Sequence, residues 1–83
     1  MKTLNKAQII GRLGNDPEIR TFPDGGKICN ISVATGKQWI DKQSGEKKEK
    51  VNWHRVVILN QGLIKLCERF ISKGSKVYIE GEL

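Results

Sequence analysis

Trp39 and Trp53 are the chain's two indoles, and they flank a charged stretch, Asp41-Lys42-Gln43-Ser44-Gly45-Glu46-Lys47-Lys48-Glu49-Lys50. Their neighbours are polar, Lys37-Gln38 before the first and His54-Arg55 after the second, which argues against two core residues. Aromatic faces beside ammonium groups suit unpaired nucleic acid. A base stacked on an aromatic ring gains roughly 1 to 3 kcal/mol whatever its identity, while cations follow the phosphates. Lys42, Lys47, Lys48, Lys50 and Arg55 are the candidate cations. Duplex hides its base faces, so such a surface would discriminate against it. The blander alternative is that both tryptophans fill the core and the lysines cover a solvated hairpin tip, their charge partly offset by Glu46 and Glu49.

Catalytic chemistry finds little to work with. There is one histidine, no serine beside a plausible base, no usefully spaced carboxylate pair and no Walker-type loop. Gly11-Arg12-Leu13-Gly14 fits neither common glycine-rich phosphate signature and reads as glycines that permit strand curvature. His54 lacks companion ligands and reads as a packed or interface residue. Cys29 and Cys67 lack zinc-site spacing and read as small core hydrophobes in a reducing, cytoplasmic setting. No cofactor or metal is expected. Nor is a secreted or membrane-embedded protein, since no stretch approaches the roughly 20 apolar residues of a membrane span and no signal-peptide core opens the chain.

Length and charge agree with a binding module. Eighty-three residues allow one small domain. Fifteen Lys and Arg against nine Asp and Glu give a formal net charge of +6, which attracts polyanions in a salt-dependent way.

The elements that must position these residues follow from periodicity. Leu4 to Leu13 reads as a strand with one drier face, ended by the turn chemistry of Gly14-Asn15-Asp16-Pro17. Phe22-Pro23-Asp24-Gly25-Gly26 supplies a hairpin turn. Residues 28–35 alternate, with Cys29, Ile31 and Val33 on one face. The charged stretch 41–50 is expected to protrude as a hairpin loop around Ser44-Gly45. Val51 to Leu59 reads as a strand with Val51, Trp53, Arg55, Val57 and Leu59 on one face and His54, Val56 and Ile58 on the other. Leu63, Leu66, Cys67, Phe70 and Ile71 recur at helical spacing, with Gly74 as the left-handed C-cap, and Lys76 to Glu80 alternates again.

The order β, β, β, α, β excludes a doubly wound sheet and points to an all-β fold with one helix, a small Greek-key barrel of the OB type. Such a barrel closes with a fifth strand between the third and fourth. No segment of this chain is a candidate for it, so an open barrel is expected, one domain over residues 1–83.

At these residues the chain resembles the bacterial single-stranded DNA-binding protein family along its whole length. The resemblance rests on Asn5-Lys6 leading into Ile9-Ile10-Gly11-Arg12-Leu13-Gly14, on Asp16-Pro17-Glu18-Ile19-Arg20, and on Asn30-Ile31-Ser32-Val33-Ala34-Thr35. Trp53-His54-Arg55-Val56-Val57 and Lys73-Gly74-Ser75-Lys76-Val77-Tyr78-Ile79-Glu80-Gly81 complete it. It implies an OB-fold subunit of a homotetramer, cytoplasmic and nucleoid-associated, in which single-stranded DNA wraps over basic grooves during replication, recombination and repair. The stacking tryptophans of the family are matched by Trp39 and Trp53, and its interface histidine by His54. A phenylalanine of the family pattern is replaced by Leu59, so one stacking platform is expected to shrink to apolar contact. Family members continue past Gly81-Glu82-Leu83 into a basic loop, the fifth strand and a tail that recruits enzymes. Tail-mediated recruitment is therefore not expected of these residues. Two competing expectations are a non-catalytic OB-fold assembly subunit that pairs with full-length relatives or primosomal proteins, and a binder of single-stranded RNA.

Overall fold

The computed structural model describes residues 1–83 as five strands and one helix. Along the chain run β1 (Ala7–Leu13), β2 (Glu18–Thr21), β3 (Lys27–Ile40), β4 (Lys47–Ile58), α1 (Gln61–Phe70) and β5 (Lys76–Gly81). All pairings are antiparallel. β3 is the spine of the sheet: β2 and β1 pair successively along it, β4 pairs with it too, and β5 pairs with β1. No ladder joins β4 to β5, so the expected gap in the barrel is present.

β2 is a strand that the sequence pattern does not announce. Glu18-Ile19-Arg20-Thr21 has a single apolar side chain, and it becomes a strand because the Phe22–Gly26 turn returns the chain against it. Phe22 N–H donates to the Gly26 carbonyl at 2.7 Å, Gly26 N–H to Asp24 Oδ1 at 2.9 Å, and Gly25 takes a φ of +90°. The hairpin is as expected; its first strand is an addition.

The core lies between the inner face of the sheet and α1. Leu13, Cys29, Ile31, Val33 and Ile64 are buried, and Ile9, Ile19, Val56, Ile58, Cys67, Ile71, Val77 and Ile79 pack around them. Alternation in residues 28–35 therefore gives the correct inner face of β3. Burial pushes the Cys29 thiol up to about 11, an effect reinforced by its neighbour Cys67.

The helix corrects the sequence reading in two ways. Its core stripe is Ile64, Cys67 and Ile71, whereas Leu63, Leu66 and Phe70 are exposed. Apolar residues line two adjacent helical faces, and spacing alone does not decide which one meets the sheet. The second correction concerns the ends. Asn60 caps the start by accepting from Leu63 N–H at 3.0 Å. Ile71, in extended conformation, ends the helix, while Gly74 takes its positive φ in the following turn and donates its N–H to the Leu13 carbonyl at 2.8 Å. Gly74 thus ties the turn before β5 to β1 and does not cap α1.

Gly11 sits where β1 crosses β3. An added Cβ would run into the Ala34 carbonyl oxygen, so close backbone approach, more than curvature, requires glycine here.

Beyond the core, β3 and β4 continue as a two-stranded arm. Their register is unbroken from Cys29↔Ile58 to Ile40↔Lys47, so strand structure extends well into the stretch expected to be loop. Only Asp41–Glu46 forms the tip, closed by Asp41 N–H to Glu46 O at 2.8 Å and Gln43 N–H to Asp41 Oδ1 at 2.8 Å, with Gly45 at φ +71°. The arm explains a radius of gyration of 16.4 Å, against about 12 Å for a compact domain of this length.

Candidate nucleic-acid interface

β4 carries Trp53 and Arg55 on its outer face, because side chains alternate along a strand and the inner positions His54, Val56 and Ile58 face the core side. Opposite them on β3 stand Ala34, across from Trp53, and Ser32, across from Arg55. Ala34 is small, so the indole meets no bulk from the neighbouring strand. Its support comes from the β1–β2 turn: a Cβ added to Gly14 would lie 2.7 Å from Trp53 Cη2, closer than real contacts allow. The turn is held in place by Gly14 N–H donating to the Ser32 carbonyl at 3.0 Å and by Lys73 N–H donating to Asp16 Oδ1 at 2.8 Å. Trp53 nevertheless remains 63% exposed, so an edge of its six-membered ring abuts the turn and most of the indole is open to solvent.

Trp39 is 48% exposed and stands on the arm across from Lys48. The strict β3–β4 register puts Trp39 on the same face as Lys37, Lys48 and Lys50, while Trp53 shares the opposite face with Lys47 and Arg55. The two indoles and the ammonium groups therefore do not share one surface. Each face of the arm has one indole and its own cations, and Lys42 belongs to the tip.

Charge at the arm is mostly free. The ion pairs of the chain are Lys6–Glu80, Arg20–Glu18, Lys27–Glu68 and Lys48–Glu46, all at solvent-exposed or half-exposed side chains. Of the five candidate cations, only Lys48 has a partner, at 3.3 Å. Lys42, Lys47, Lys50 and Arg55 have none. An exposed pair is worth a fraction of a kcal/mol to about 1 kcal/mol, so Lys48 can exchange Glu46 for another anion.

His54 faces inward and its Nε2 lies 2.8 Å from Thr35 Oγ1, partly buried. It lies on the strand face opposite Trp53. Leu59, just past β4, is 66% exposed.

Residues 4–83 match the Single-strand binding protein family. The chain belongs to that family. Among similar sequences, the single-stranded DNA-binding protein of Rickettsia typhi is 53% identical over 81 residues, 98% of this chain and 53% of the relative. That of Rhizobium meliloti is 49% identical over 81 residues, 98% of this chain and 47% of the relative. The chain thus spans about half the length of the curated relatives it matches. A structure of the Plasmodium falciparum SSB in complex with ssDNA superposes with a TM-score of 0.87 at 38% identity, covering 99% of this chain and 72% of that one. A deletion mutant of the single-stranded DNA binding protein from Thermus aquaticus gives 0.78 at 30%, covering 96% and 38%. These neighbours share the OB-fold, and the family is one of binding proteins, not enzymes. No helix is long and apolar enough to cross a membrane.

Two features of the site are absent from the sequence reading. Gly14 supports Trp53, and a polar groove lined by Asn15, Asn30, Ser32 and Arg55 opens beside it. The turn signal at Gly14-Asn15 is visible in the sequence; that a ring from β4 settles on it depends on the sheet.

Proposed function

We propose that this domain binds single-stranded DNA without sequence specificity and protects it in replication, recombination and repair. Trp53 and Trp39 stack bases; Lys42, Lys47, Lys48, Lys50 and Arg55 contact phosphates. The observation that carries this reading is Trp53, 63% exposed and braced along one ring edge by Gly14, with Arg55 two residues along the same strand face. A duplex presents no base face to such a platform. Because the indoles occupy opposite faces of the arm, a strand that reaches both passes over an edge of the ribbon.

The domain acts as a homo-oligomer, a tetramer, in the cytoplasm. Ile10 and Tyr78, paired across β1 and β5 and 60% and 59% exposed, support association through the outer sheet face. His54 is assigned to a subunit contact, with its ring fixed by Thr35.

Anisotropy of labelled oligo(dT), with duplex of equal length and oligo(rU) as competitors, tests the reading. Displacement by unlabelled oligo(dT) and none by duplex is expected. Equal competition by duplex would refute it, and preferential displacement by oligo(rU) would replace DNA with RNA as the ligand.

A further inference from the structure

The groove beside Trp53 has a chemistry different from that of the arm. Its floor is the outer face of β3, where Asn30 and Ser32 are half-buried, and Arg55 of β4 forms one wall. Asn15, next to the glycine that supports Trp53, closes the end nearest the indole. None of these four side chains has a hydrogen-bond partner within the chain, so their donors and acceptors are available to a ligand. The opposite wall carries the carboxylates of Asp16 and Glu18 and the guanidinium of Arg20. One oxygen of Asp16 accepts from Lys73 N–H and one of Glu18 from Arg20 at 3.0 Å, which leaves an oxygen of each free. The cavity measures about 360 Å³, ample for one planar heterocycle.

A phosphodiester finds no net positive charge there, because the carboxylates of Asp16 and Glu18 balance the guanidiniums of Arg55 and Arg20, and Arg20 is already paired with Glu18. The edge of a thymine or guanine is a good occupant. It offers a ring N–H donor and a carbonyl acceptor side by side, and the groove offers carboxylate and carboxamide oxygens opposite a guanidinium and amide donors.

We propose that this groove is a base-edge site, which receives the Watson–Crick edge of the nucleotide adjacent to the one stacked on Trp53. A thymine or guanine there donates its ring N–H to a carboxylate or carboxamide oxygen and accepts at its carbonyl from the Asn30 or Asn15 amide, which leaves Arg55 to the adjacent phosphate. The inference rests on the single-strand reading above and deepens it: a surface that binds any sequence has one position that inspects hydrogen-bonding groups.

The test compares oligo(dT) with an oligonucleotide of the same length built from N3-methylthymine, which keeps the phosphates and the stacking face and blocks the ring N–H. The protein is expected to bind the methylated strand roughly three- to tenfold more weakly, the effect of removing one or two hydrogen bonds. Asn30→Ala and Ser32→Ala are expected to shrink that difference, and Trp53→Ala to weaken both strands alike. Equal binding of the two strands by the unaltered protein would overturn the base-edge site and leave the stacking reading standing. A difference that persists in full in both groove variants would also overturn it. Absence of binding to either strand would overturn both readings.

Discussion

An edge of the Trp53 indole abuts Gly14, with no room between them for a methyl group. Two residues far apart in sequence thus meet. Gly14 keeps a negative φ, so its value lies in the missing side chain and not in an unusual backbone conformation.

A Gly14→Ala change should therefore displace the ring without unfolding the domain. The expected outcome is a roughly three- to thirtyfold drop in affinity for oligo(dT), within the range of a weakened stack, with a melting temperature close to that of the parent. Anisotropy and circular dichroism on the same sample check it. Undiminished affinity would show that the ring can shift and still stack.

Placement of Trp39 and Trp53 on opposite faces of the arm predicts independence. Each alanine variant should lose about 1 to 3 kcal/mol of binding, and the double variant should lose the sum within about 0.5 kcal/mol. Equilibrium titrations of the four proteins complete the cycle. A coupling well beyond that margin would mean that both indoles hold the same stretch of bases.

The cations divide by their partners. Alanine at Lys42, Lys47, Lys50 or Arg55 should reduce the slope of log K against log salt by about 0.7 for each phosphate no longer neutralised. Lys48→Ala should do no more than this, because its ammonium already has Glu46 at 3.3 Å. Titrations at several salt concentrations read the slopes, and slopes that do not change would remove these side chains from the phosphate path.

Cys29 supplies a pH signature of the core. Its folded thiol is raised from 9.0 to about 11 by burial and by Cys67, so the neutral form is favoured in the folded chain. Its contribution is fully present below about pH 9 and is lost as pH rises through about 11. Cys29→Ala lacks this effect but loses packing. The stability gap between parent and variant, measured by urea unfolding, should narrow from pH 8 to pH 11 by about 1 to 3 kcal/mol. A gap independent of pH would contradict the buried, neutral thiol.

Much of this arrangement is legible in the residues. Alternation at Cys29, Ile31 and Val33 identifies the inner face of β3, and the spacing of Trp53 and Arg55 against His54 and Val56 identifies the two faces of β4. The open barrel follows from the lack of any further strand pattern. What escapes depends on partners supplied by the fold. β2 has too little apolar character to declare itself, and only pairing with Lys27–Asn30 makes it a strand. The helix displays two adjoining apolar faces, and packing against the sheet selects Ile64 over Leu63. The relative placement of the indoles needs a register: with Ala34 opposite Trp53 and Lys48 opposite Trp39, they point to opposite sides. Gly14 has the character of a turn residue, and only the folded sheet brings a ring onto it.

In the proposed function Trp53 is an open platform for unpaired bases. A Trp39→Phe variant makes Trp53 the sole indole, and its fluorescence during titration reports that ring directly. Oligo(dT) should quench it in a saturable, salt-sensitive manner, and a duplex of equal length should leave it nearly unchanged. Fluorescence that responds to neither strand, from a chain whose circular dichroism shows the folded sheet, would contradict the account.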